Sequence, residues 1–312
     1  MNFPFEVPRG REFDAVGFGT NAVDFLIRVP HYPQFDSKVE LEDYSQLAGG
    51  EIATAMVGLQ RLGLKTCYVG RFGSDAAGDF GLQTLRDEGV DVSLAEQIEG
   101  ATTQIAFIII DIATGERTVI WKRDAKLSYK AEDVPVEAAA RASVLHFTPH
   151  DTRACIRLAE EAKRAGTIVS IDLDNVFPGI EELLPLVDVL ITSAELPGRM
   201  FGIDDRQEAL KAMNAKYGSA VVGITLGETG SLLYCDGEFV RSDGFPVPGG
   251  CRDTTGAGDS FRAGLLYGLI SGESVEESAR MANAVAALKC RAVGARTSLP
   301  TTSELKTLLK IP

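Results

Sequence analysis

Short apolar segments of β-type composition alternate with amphipathic helical stretches along most of this chain, and no other feature constrains its fold as strongly. The predicted strands cover residues 14–18, 66–69, 144–147, 168–172, 187–192, 220–225 and 231–234. The predicted helices cover residues 52–62, 77–88, 152–165 and 206–217. Each of these helical stretches is followed directly by a glycine, the residue type that commonly ends helices: Gly63, Gly89, Gly166 and Gly218. The alternation predicts an α/β fold in which helices cover a mostly parallel sheet.

Two segments interrupt this alternation. Residues 25–47 contain Pro30 and Pro33 and only short alternating stretches. Residues 104–122 are typical of a hairpin, with strands at 105–111 and 117–122 joined by the turn Ala113-Thr114-Gly115-Glu116. The two insertions could form a small sheet beside the main one, or they could be ordinary excursions at its edge. We therefore predict one domain, residues 1–312, with insertions at about 25–47 and 103–123.

Composition narrows the functional classes. The net charge is −13, from 31 basic and 44 acidic residues, and no basic cluster offsets it, so we expect neither a nucleic-acid partner nor an anionic membrane. No apolar run approaches the roughly 20 residues that span a bilayer, and the first residues lack the apolar core of a secretory signal. The five cysteines are scattered and never spaced as Cys-x-x-Cys. This cysteine usage favours a cytoplasmic location, and it argues against both a disulfide framework and a zinc site.

The segment Asp253-Thr254-Thr255-Gly256-Ala257-Gly258-Asp259-Ser260-Phe261 carries the densest chemistry in the chain. An apolar pattern with helical spacing follows it, so the Gly-Ala-Gly turn opens a helix. The first N–H groups of that helix have no intrahelical partner, and small side chains leave them open to an anion such as a phosphate. A carboxylate beside a phosphoryl group is repelled by it unless it takes a proton from the attacking hydroxyl. Asp259 is therefore a candidate general base; the alternative is that it only caps the helix.

A second motif, Ala48-Gly49-Gly50-Glu51-Ile52-Ala53-Thr54-Ala55, lies near the N-terminus and is continued by residues 61–63 and 69–78. The two motifs, in this order, resemble the signatures of the ribokinase-like (PfkB) family of sugar and nucleoside kinases, and the resemblance covers nearly the whole chain. It implies ATP-dependent phosphorylation of a hydroxyl of a small sugar or sugar derivative, with Mg²⁺ on the nucleotide. It also implies that Asp259 is the base, that residues Gly256, Ala257 and Gly258 with Asp259 form an anion hole, and that the small sheet is a lid and a homodimer interface.

The sugar side is expected around Asp24, Gly49, Gly50 and Thr54. Asp24 lies just past the first predicted strand, where its carboxylate could accept hydrogen bonds from sugar hydroxyls or simply form a turn. The family commonly has Asn where this chain has Thr54, and Glu51 is unusual beside a polyol, so the sugar stays open. Residues 17–22 fit the dinucleotide fingerprint G-x-G-x-x-A, but the β-type segment that follows is not the helix that this motif requires.

The nucleotide side is implied by a second set of positions. The turn from Thr225 through Gly227 to Gly230 resembles the family's nucleotide-binding turn, and Asn283 matches an Asn near adenine. Residues 193–196 lie where the family has Asn-x-x-Glu, but Ser193 replaces the Asn and Glu195 is one place early, so we assign no magnesium ligands there. Asp172 and Asp174 follow a predicted strand, where they could help place Mg²⁺ or form a turn.

The resemblance further implies a monovalent cation beside the anion seat. Its expected oxygen ligands belong to Asp253, Thr255, Lys289, Ala292, Gly294 and Ser298. Oxygen ligation of this kind suits a hard cation such as K⁺.

Several other features leave alternatives open. His146 and His150 are four residues apart, but Pro149 precludes the helix that would align them on a metal. Lys122 and Arg123 could meet an acidic sugar or form a solvated surface. A nucleoside kinase is the nearest rival function and would need an aromatic clamp, which Phe25, Phe107 and Trp121 could provide. A non-catalytic binding protein is a third possibility, against which the intact Asp259 argues.

Overall fold

The computed structural model describes residues 1–114 and 116–311. Its strands are β1 Phe13–Phe18, β2 Ala22–Val29, β3 Asp43–Gly49, β4 Thr66–Val69, β5 Arg71–Gly73, β6 Glu96–Ile98, β7 Ile105–Asp111, β8 Arg117–Lys122, β9 Ala142–Phe147, β10 Ile168–Leu173, β11 Val189–Ser193, β12 Val221–Thr225, β13 Ser231–Cys235 and β14 Glu238–Ser242. Its α-helices are α1 Glu51–Arg61, α2 Ala76–Asp87, α3 Glu137–Ala140, α4 Thr152–Ala165, α5 Ile180–Leu183, α6 Leu196–Phe201, α7 Arg206–Tyr217, α8 Ala257–Ser271, α9 Val275–Lys289 and α10 Thr302–Leu309. The predicted turn at 113–116 includes Gly115, which lies outside the described residues.

The main sheet has eight strands in the order β14-β13-β12-β11-β10-β9-β1-β4. The pairs from β12 to β4 are parallel, and β13 and β14 add an antiparallel edge. Alternate residues of one strand enter different cores: Leu145 packs in the cluster that contains Leu158 of α4, and Val144 in the cluster that contains Met56 of α1. Both faces of the sheet are thus covered by helices, which is why its strands read as continuous apolar runs. The predicted α/β fold is confirmed.

A separate four-stranded sheet has the order β3-β2-β7-β8 and is here called the lid sheet. Strand β2 pairs antiparallel with β3 and parallel with β7, so the two insertions meet in one sheet as predicted. The first insertion is longer than the sequence indicated, because β2 starts at Ala22 and β3 extends to Gly49. One expectation is corrected: Asp24 lies inside β2 and not in a loop after the first strand. Gly19, with φ of 153°, already redirects the chain before that residue.

The helix boundaries follow local sequence signals. Helices α4 and α7 end at Gly166 and Gly218, which are both left-handed with φ of 73°. Asp75 accepts a hydrogen bond from the Gly78 N–H and so caps the start of α2. Strand β11 begins two residues later than predicted, because a 3₁₀ turn at Leu184–Leu186 precedes it. Within the described residues, no helix is both long enough and apolar enough to cross a membrane.

Candidate active site

A cleft of about 240 Å³ lies at the carboxyl ends of four neighbouring strands of the main sheet. Its walls come from the ends of β9 to β12, from the start of α1 and from the first two turns of α8. The lining residues are Glu51, Thr148, Asp172, Asp174, Ser193, Thr225, Gly258, Asp259 and Arg262. Ligands of α/β proteins gather at this edge because the strand ends and helix N-termini converge there.

The start of α8 has the form expected of an anion seat. Gly256 caps the helix with φ of 77°, and a Cβ at this position would lie 2.9 Å from the Ala295 Cβ, so a side chain is excluded by both conformation and space. The N–H of Ala257 donates to the Thr254 carbonyl at 3.1 Å. Within the described residues, the N–H groups of Gly256, Gly258 and Asp259 have no acceptor. Three of the four expected donors are therefore free to face a ligand.

Asp259 lies in this first turn and lines the cleft. Burial raises its pKa well above the ordinary value, and the nearby Asp172 and Glu51 raise it further, while Arg262 opposes the shift. A carboxyl group with a raised pKa holds a proton more readily near neutral pH, as a general base requires. Capping does not account for this position, because the N-cap is Gly256 and no side chain caps α8.

Sequence reasoning missed Arg262 as a site residue. It is buried, and its Nη2 lies 2.5 Å from Asp172 Oδ1, which makes it the counter-charge of the cleft. Burial raises the pKa of Asp172 to about 7, against the pull of Arg262. Residues three apart on a helix share a face, so the Asp259–Arg262 spacing was a usable signal.

Glu51, noted in the sequence only as unusual, is the other missed residue. It is the first residue of α1 and lies within reach of the Thr20 hydroxyl at 3.4 Å and of His150 Nδ1 at 3.8 Å. Burial raises its pKa to about 7, and Asp174 adds to the shift. Glu51 and Asp172 therefore both increase the proton affinity of the neighbouring Asp259.

The cleft also fits a magnesium-bound nucleotide. Glu51, Asp172, Asp174 and Asp259 are four carboxyl groups around the single guanidinium of Arg262, which leaves an excess of negative charge. Among the described residues there is no group of three or more His, Cys, Asp or Glu that could hold a metal. Mg²⁺ is typically held by one or two carboxylates together with substrate phosphates, so this open arrangement suits it. Glu195 lies outside this cleft and pairs with Arg206.

The expected sugar-side residues form a second group. Asp24 is buried, and burial raises its pKa to about 6, against the pull of Arg296. A Cβ at Gly49 would lie 2.3 Å from Asp24 Oδ2, and one at Gly50 would lie 2.3 Å from the Asn21 backbone. Both glycines are thus needed where the lid sheet joins α1. Thr54, in α1, is fully buried, and its hydroxyl has no partner among the described residues.

Arg296 connects the sugar side to the cleft. Its guanidinium donates to the Gly49 carbonyl, and it interacts electrostatically with both Asp24 and Asp259. Burial lowers its pKa to about 10. Sequence reasoning placed Arg296 in a loop and gave it no role, and its position depends on contacts between distant segments that no local pattern reveals.

The expected nucleotide-side residues lie further along the same edge. Ser193 and Thr225 are opposite each other at the ends of β11 and β12. Gly227 begins a 3₁₀ turn, and Gly230, with φ of 103°, passes so close to β14 that a Cβ would lie 2.0 Å from the Ser242 carbonyl oxygen. The Asn283 amide donates to Ser231 Oγ at 3.0 Å and to the Ser242 carbonyl at 3.1 Å. Asn283 therefore holds α9 against the strands that frame this turn.

Of the residues expected to hold K⁺, Thr255, Lys289 and Gly294 contact Asp253, and Ser298 contacts Lys289. The Oδ1 of Asp253 accepts hydrogen bonds from the Thr255 N–H and hydroxyl, and its Oδ2 accepts from the Gly294 N–H at 2.8 Å. Burial opposes ionisation of Asp253, but these bonds hold its pKa below the usual value. Two cationic side chains, Lys289 and Arg117, also reach this residue.

The remaining sequence features have structural explanations. His146 is buried against Ser170, and Pro149 begins a 3₁₀ turn that separates it from His150. Arg123 pairs with Asp151 at 2.9 Å, and Lys122 is exposed.

The three candidate clamp aromatics do not share a face of the lid sheet. Phe25 stacks on Phe107, its neighbour in register, with ring centroids 5.3 Å apart. Trp121 pairs with Ala106, the neighbour of Asp24, and so lies on the opposite face.

An α/β sheet with an anion seat, a carboxyl group of raised pKa beside that seat and a separate small sheet defines a site suited to phosphoryl transfer. The chain belongs to the pfkB family of carbohydrate kinases, whose family model matches residues 15–302. Members of this family and the chain's relatives are ATP-dependent sugar or nucleoside kinases.

Individual relatives span nearly the same length. A nucleoside kinase of Methanothermobacter thermautotrophicus is 26% identical, with 93% of this chain and 94% of the relative covered. Fructokinase-1 of Zea mays is 30% identical, with 96% and 98% covered. The structure of Arabidopsis thaliana ribokinase complexed with ribose and ATP superimposes with a TM-score of 0.86 at 26% identity and covers 96% of this chain and 99% of that one. These similarities include both sugar and nucleoside kinases, so they leave the substrate class open.

Proposed function

We propose that this protein transfers the γ-phosphoryl group of ATP to a hydroxyl of a small sugar or sugar derivative, with Asp259 as the general base. The observation that carries this proposal is the position of Asp259, a half-buried carboxyl group with a raised pKa beside three free N–H donors. A base and an anion seat side by side can take a proton from a hydroxyl and bind the group that the hydroxyl attacks.

The division of labour follows from the geometry. The N–H groups of Gly256, Gly258 and Asp259 stabilise charge on the transferring phosphoryl group, and Ala257 keeps the approach clear of bulky side chains. Mg²⁺, when bound, would neutralise phosphate charge, and Asp174 and Glu51, which line the cleft, would hold it together with the phosphates. Arg262 pairs with Asp172 and favours its ionised form beside Asp259.

The substrates approach from opposite sides of Asp259. The sugar meets Asp24, Gly49, Gly50 and Thr54, and Arg296 fixes the Gly49 carbonyl behind it. ATP lies along Ser193, Thr225, Gly227 and Gly230, and Asn283 holds the strands behind that turn.

The lid sheet favours a sugar over a nucleoside. Register places Asp24, Leu47, Ala106 and Trp121 on one face, which also carries Arg117 and contacts the loops of the main domain. Phe25 and Phe107 lie on the other face. The nucleobase of a nucleoside substrate would therefore meet one aromatic side chain, Trp121, instead of a clamp of three. A single Trp suffices to cover a sugar ring.

We further propose a homodimer through the outer face of the lid sheet. Phe25, Phe107 and Ile120 form an uncharged row across three strands, and Ile120 is 54% exposed. Exposed apolar patches of this kind commonly mark protein interfaces. A second copy of this chain, which carries a net charge of −13, can approach only where the facing surfaces hold few charges.

A cytoplasmic location is also proposed. All five cysteines are free thiols, and the proposed reaction consumes ATP. Free thiols persist in a reducing compartment.

The substrate class is tested by ADP release with a panel of ribose, fructose, 2-keto-3-deoxygluconate, sulfofructose and adenosine. We expect turnover with at least one sugar and a value of kcat/KM at least about tenfold lower with adenosine. Preference for adenosine would assign the nucleoside kinase reaction instead. ATP binding by calorimetry without turnover on any member would support a binding protein.

A further inference from the structure

The strongest unassigned feature is the side chain of Lys289, which lies among the residues expected to bind a monovalent cation. Lys289 is the last residue of α9 and is fully buried, with 0% of its surface exposed. Its Nζ donates to the Asp253 carbonyl at 2.9 Å and lies 3.9 Å from Asp253 Oδ2. The resemblance implies only an oxygen ligand from this residue, but here its side-chain ammonium group enters the site.

Three oxygens of the residues expected to bind K⁺ already accept hydrogen bonds, namely both carboxylate oxygens of Asp253 and the Lys289 carbonyl oxygen. Asp253 Oδ1 accepts from the Thr255 N–H at 2.9 Å, from the Thr255 hydroxyl at 2.8 Å and from Arg117 at 3.1 Å. Asp253 Oδ2 accepts from the Gly294 N–H. The Lys289 carbonyl accepts from the Ser298 hydroxyl. A hard cation needs several oxygens with lone pairs turned toward it, and these three oxygens are turned toward donors.

The charge balance leads to the same conclusion. Asp253 is one carboxylate, and Lys289 and Arg117 are two cations that reach it. A metal ion would add a third positive charge, and two unit charges 4 Å apart repel by about 4 kcal/mol at an effective dielectric constant near 20. The residues present therefore do not fit a resident K⁺ ion.

The ammonium group can do what such an ion would do. It binds the carbonyl of Asp253, three residues before Gly256, and so fixes the strand of backbone that leads into the anion seat. A lysine ammonium is a compact point charge, similar in kind to a monovalent ion, and it is covalently tethered to α9.

We propose that the Lys289 ammonium is a built-in cation that replaces K⁺ and makes the anion seat independent of monovalent salts. The kinetic part of this inference rests on the proposed kinase function, and the structural part does not. Because the ammonium group occupies the place of the ion, we expect K⁺ to bind there only when the ammonium group is removed.

The test compares wild-type protein with Lys289→Met, which keeps the apolar stem and removes the charge. Tm and ATP affinity are measured in KCl, NaCl and tetramethylammonium chloride at equal ionic strength, and turnover is measured in the same salts. Lys130→Met, at an exposed position, is the matched control. For the wild type and the control we expect turnover and ATP affinity within about twofold across the three salts.

For Lys289→Met we expect that KCl, relative to tetramethylammonium chloride, raises Tm and improves ATP affinity by about tenfold. Wild-type protein that needs K⁺ for ATP affinity or is stabilised specifically by K⁺ would overturn the inference. So would a folded Lys289→Met that behaves identically in all three salts. If that variant does not fold, the wild-type comparison still decides. Because Tm and ATP affinity do not require turnover, failure of this inference is distinct from failure of the proposed reaction.

Discussion

Two aspartates at the ends of one short loop have opposite electrostatic environments. Asp253 is one carboxylate contacted by two cations and by backbone and hydroxyl donors, and its pKa lies below the usual value. Asp259 is half-buried beside Asp172, Glu51 and Asp174, whose charges Arg262 and Arg296 oppose, and its pKa lies well above the usual value. The surroundings, and not the residue type, determine which aspartate keeps its charge and which one exchanges a proton.

This difference has opposite consequences for stability. The folded protein binds a proton on Asp259 more tightly than the unfolded chain does, so the contribution of Asp259 falls as pH rises above its ordinary pKa. Asp253 contributes stability above its ordinary pKa and loses it as pH falls through its lowered folded value. Near neutral pH, Asp253 therefore stabilises the loop and Asp259 strains it.

The largest effect is expected when each aspartate is replaced by asparagine, which tests the comparison between them directly. Asp259→Asn should lower turnover about 10³-fold, because general-base catalysis typically contributes 10²–10⁴-fold. It should leave ATP affinity largely intact and raise Tm by about 2 °C, because it removes a partly desolvated carboxyl group that lies beside other carboxyl groups. Turnover of Asp259→Asn within about tenfold of wild type would contradict the base assignment.

Asp253→Asn is the matched variant and should behave in the opposite way. It leaves the buried Lys289 ammonium without its carboxylate, so we expect a loss of about 3 kcal/mol in the free energy of unfolding. Its effect on turnover should be much smaller than that of Asp259→Asn. A variant pair with equal losses of stability would show that the two environments are not opposite.

Replacing Arg262 tests the environment of Asp259, because Arg262 is the cation that pairs with the neighbouring Asp172. Arg262→Met leaves Asp172 buried without a partner, which costs about 3–5 kcal/mol when one member of a buried pair is lost. Urea unfolding measures this change. The control is Arg157→Met, whose exposed pair with Glu160 should contribute less than about 1 kcal/mol. A loss no greater than that of the control would mean that Arg262 is not the counter-charge of the cleft.

The smallest effect is expected on the outer face of the lid sheet, opposite the face from which Arg117 contacts Asp253. Ile120→Asp adds a charge to the apolar row and should convert a dimer to a monomer by analytical ultracentrifugation, with little change in Tm. Thr307→Asp, exposed on α10, adds the same charge elsewhere and should keep the dimer. Wild-type protein that sediments as a monomer would contradict the proposed dimer interface.

The main sheet, the lid hairpin and the start of α8 could be predicted because their signals are local. Apolar runs, helix-ending glycines and the Gly-Ala-Gly turn act within a few residues of themselves. Asp24 was misplaced because the turn at Gly19 hides the start of β2. Arg296 and the Lys289 side chain could not be assigned, because their partners Gly49 and Asp253 are distant in sequence. Glu51 and Arg262 adjoin the motifs, but only the packed cleft reveals the charges that they share.

The pH dependence of kcat/KM tests the central claim most directly, because it reports the proton that Asp259 must accept. Catalysis requires the deprotonated base, so wild-type activity should fall as pH decreases, through an acid limb well above the ordinary aspartate range near pH 4. Glu51→Gln removes one neighbouring negative charge and should move that limb to lower pH, whereas the exposed Glu132→Gln should not. An acid limb in the ordinary range, or one that Glu51→Gln leaves in place, would contradict the account.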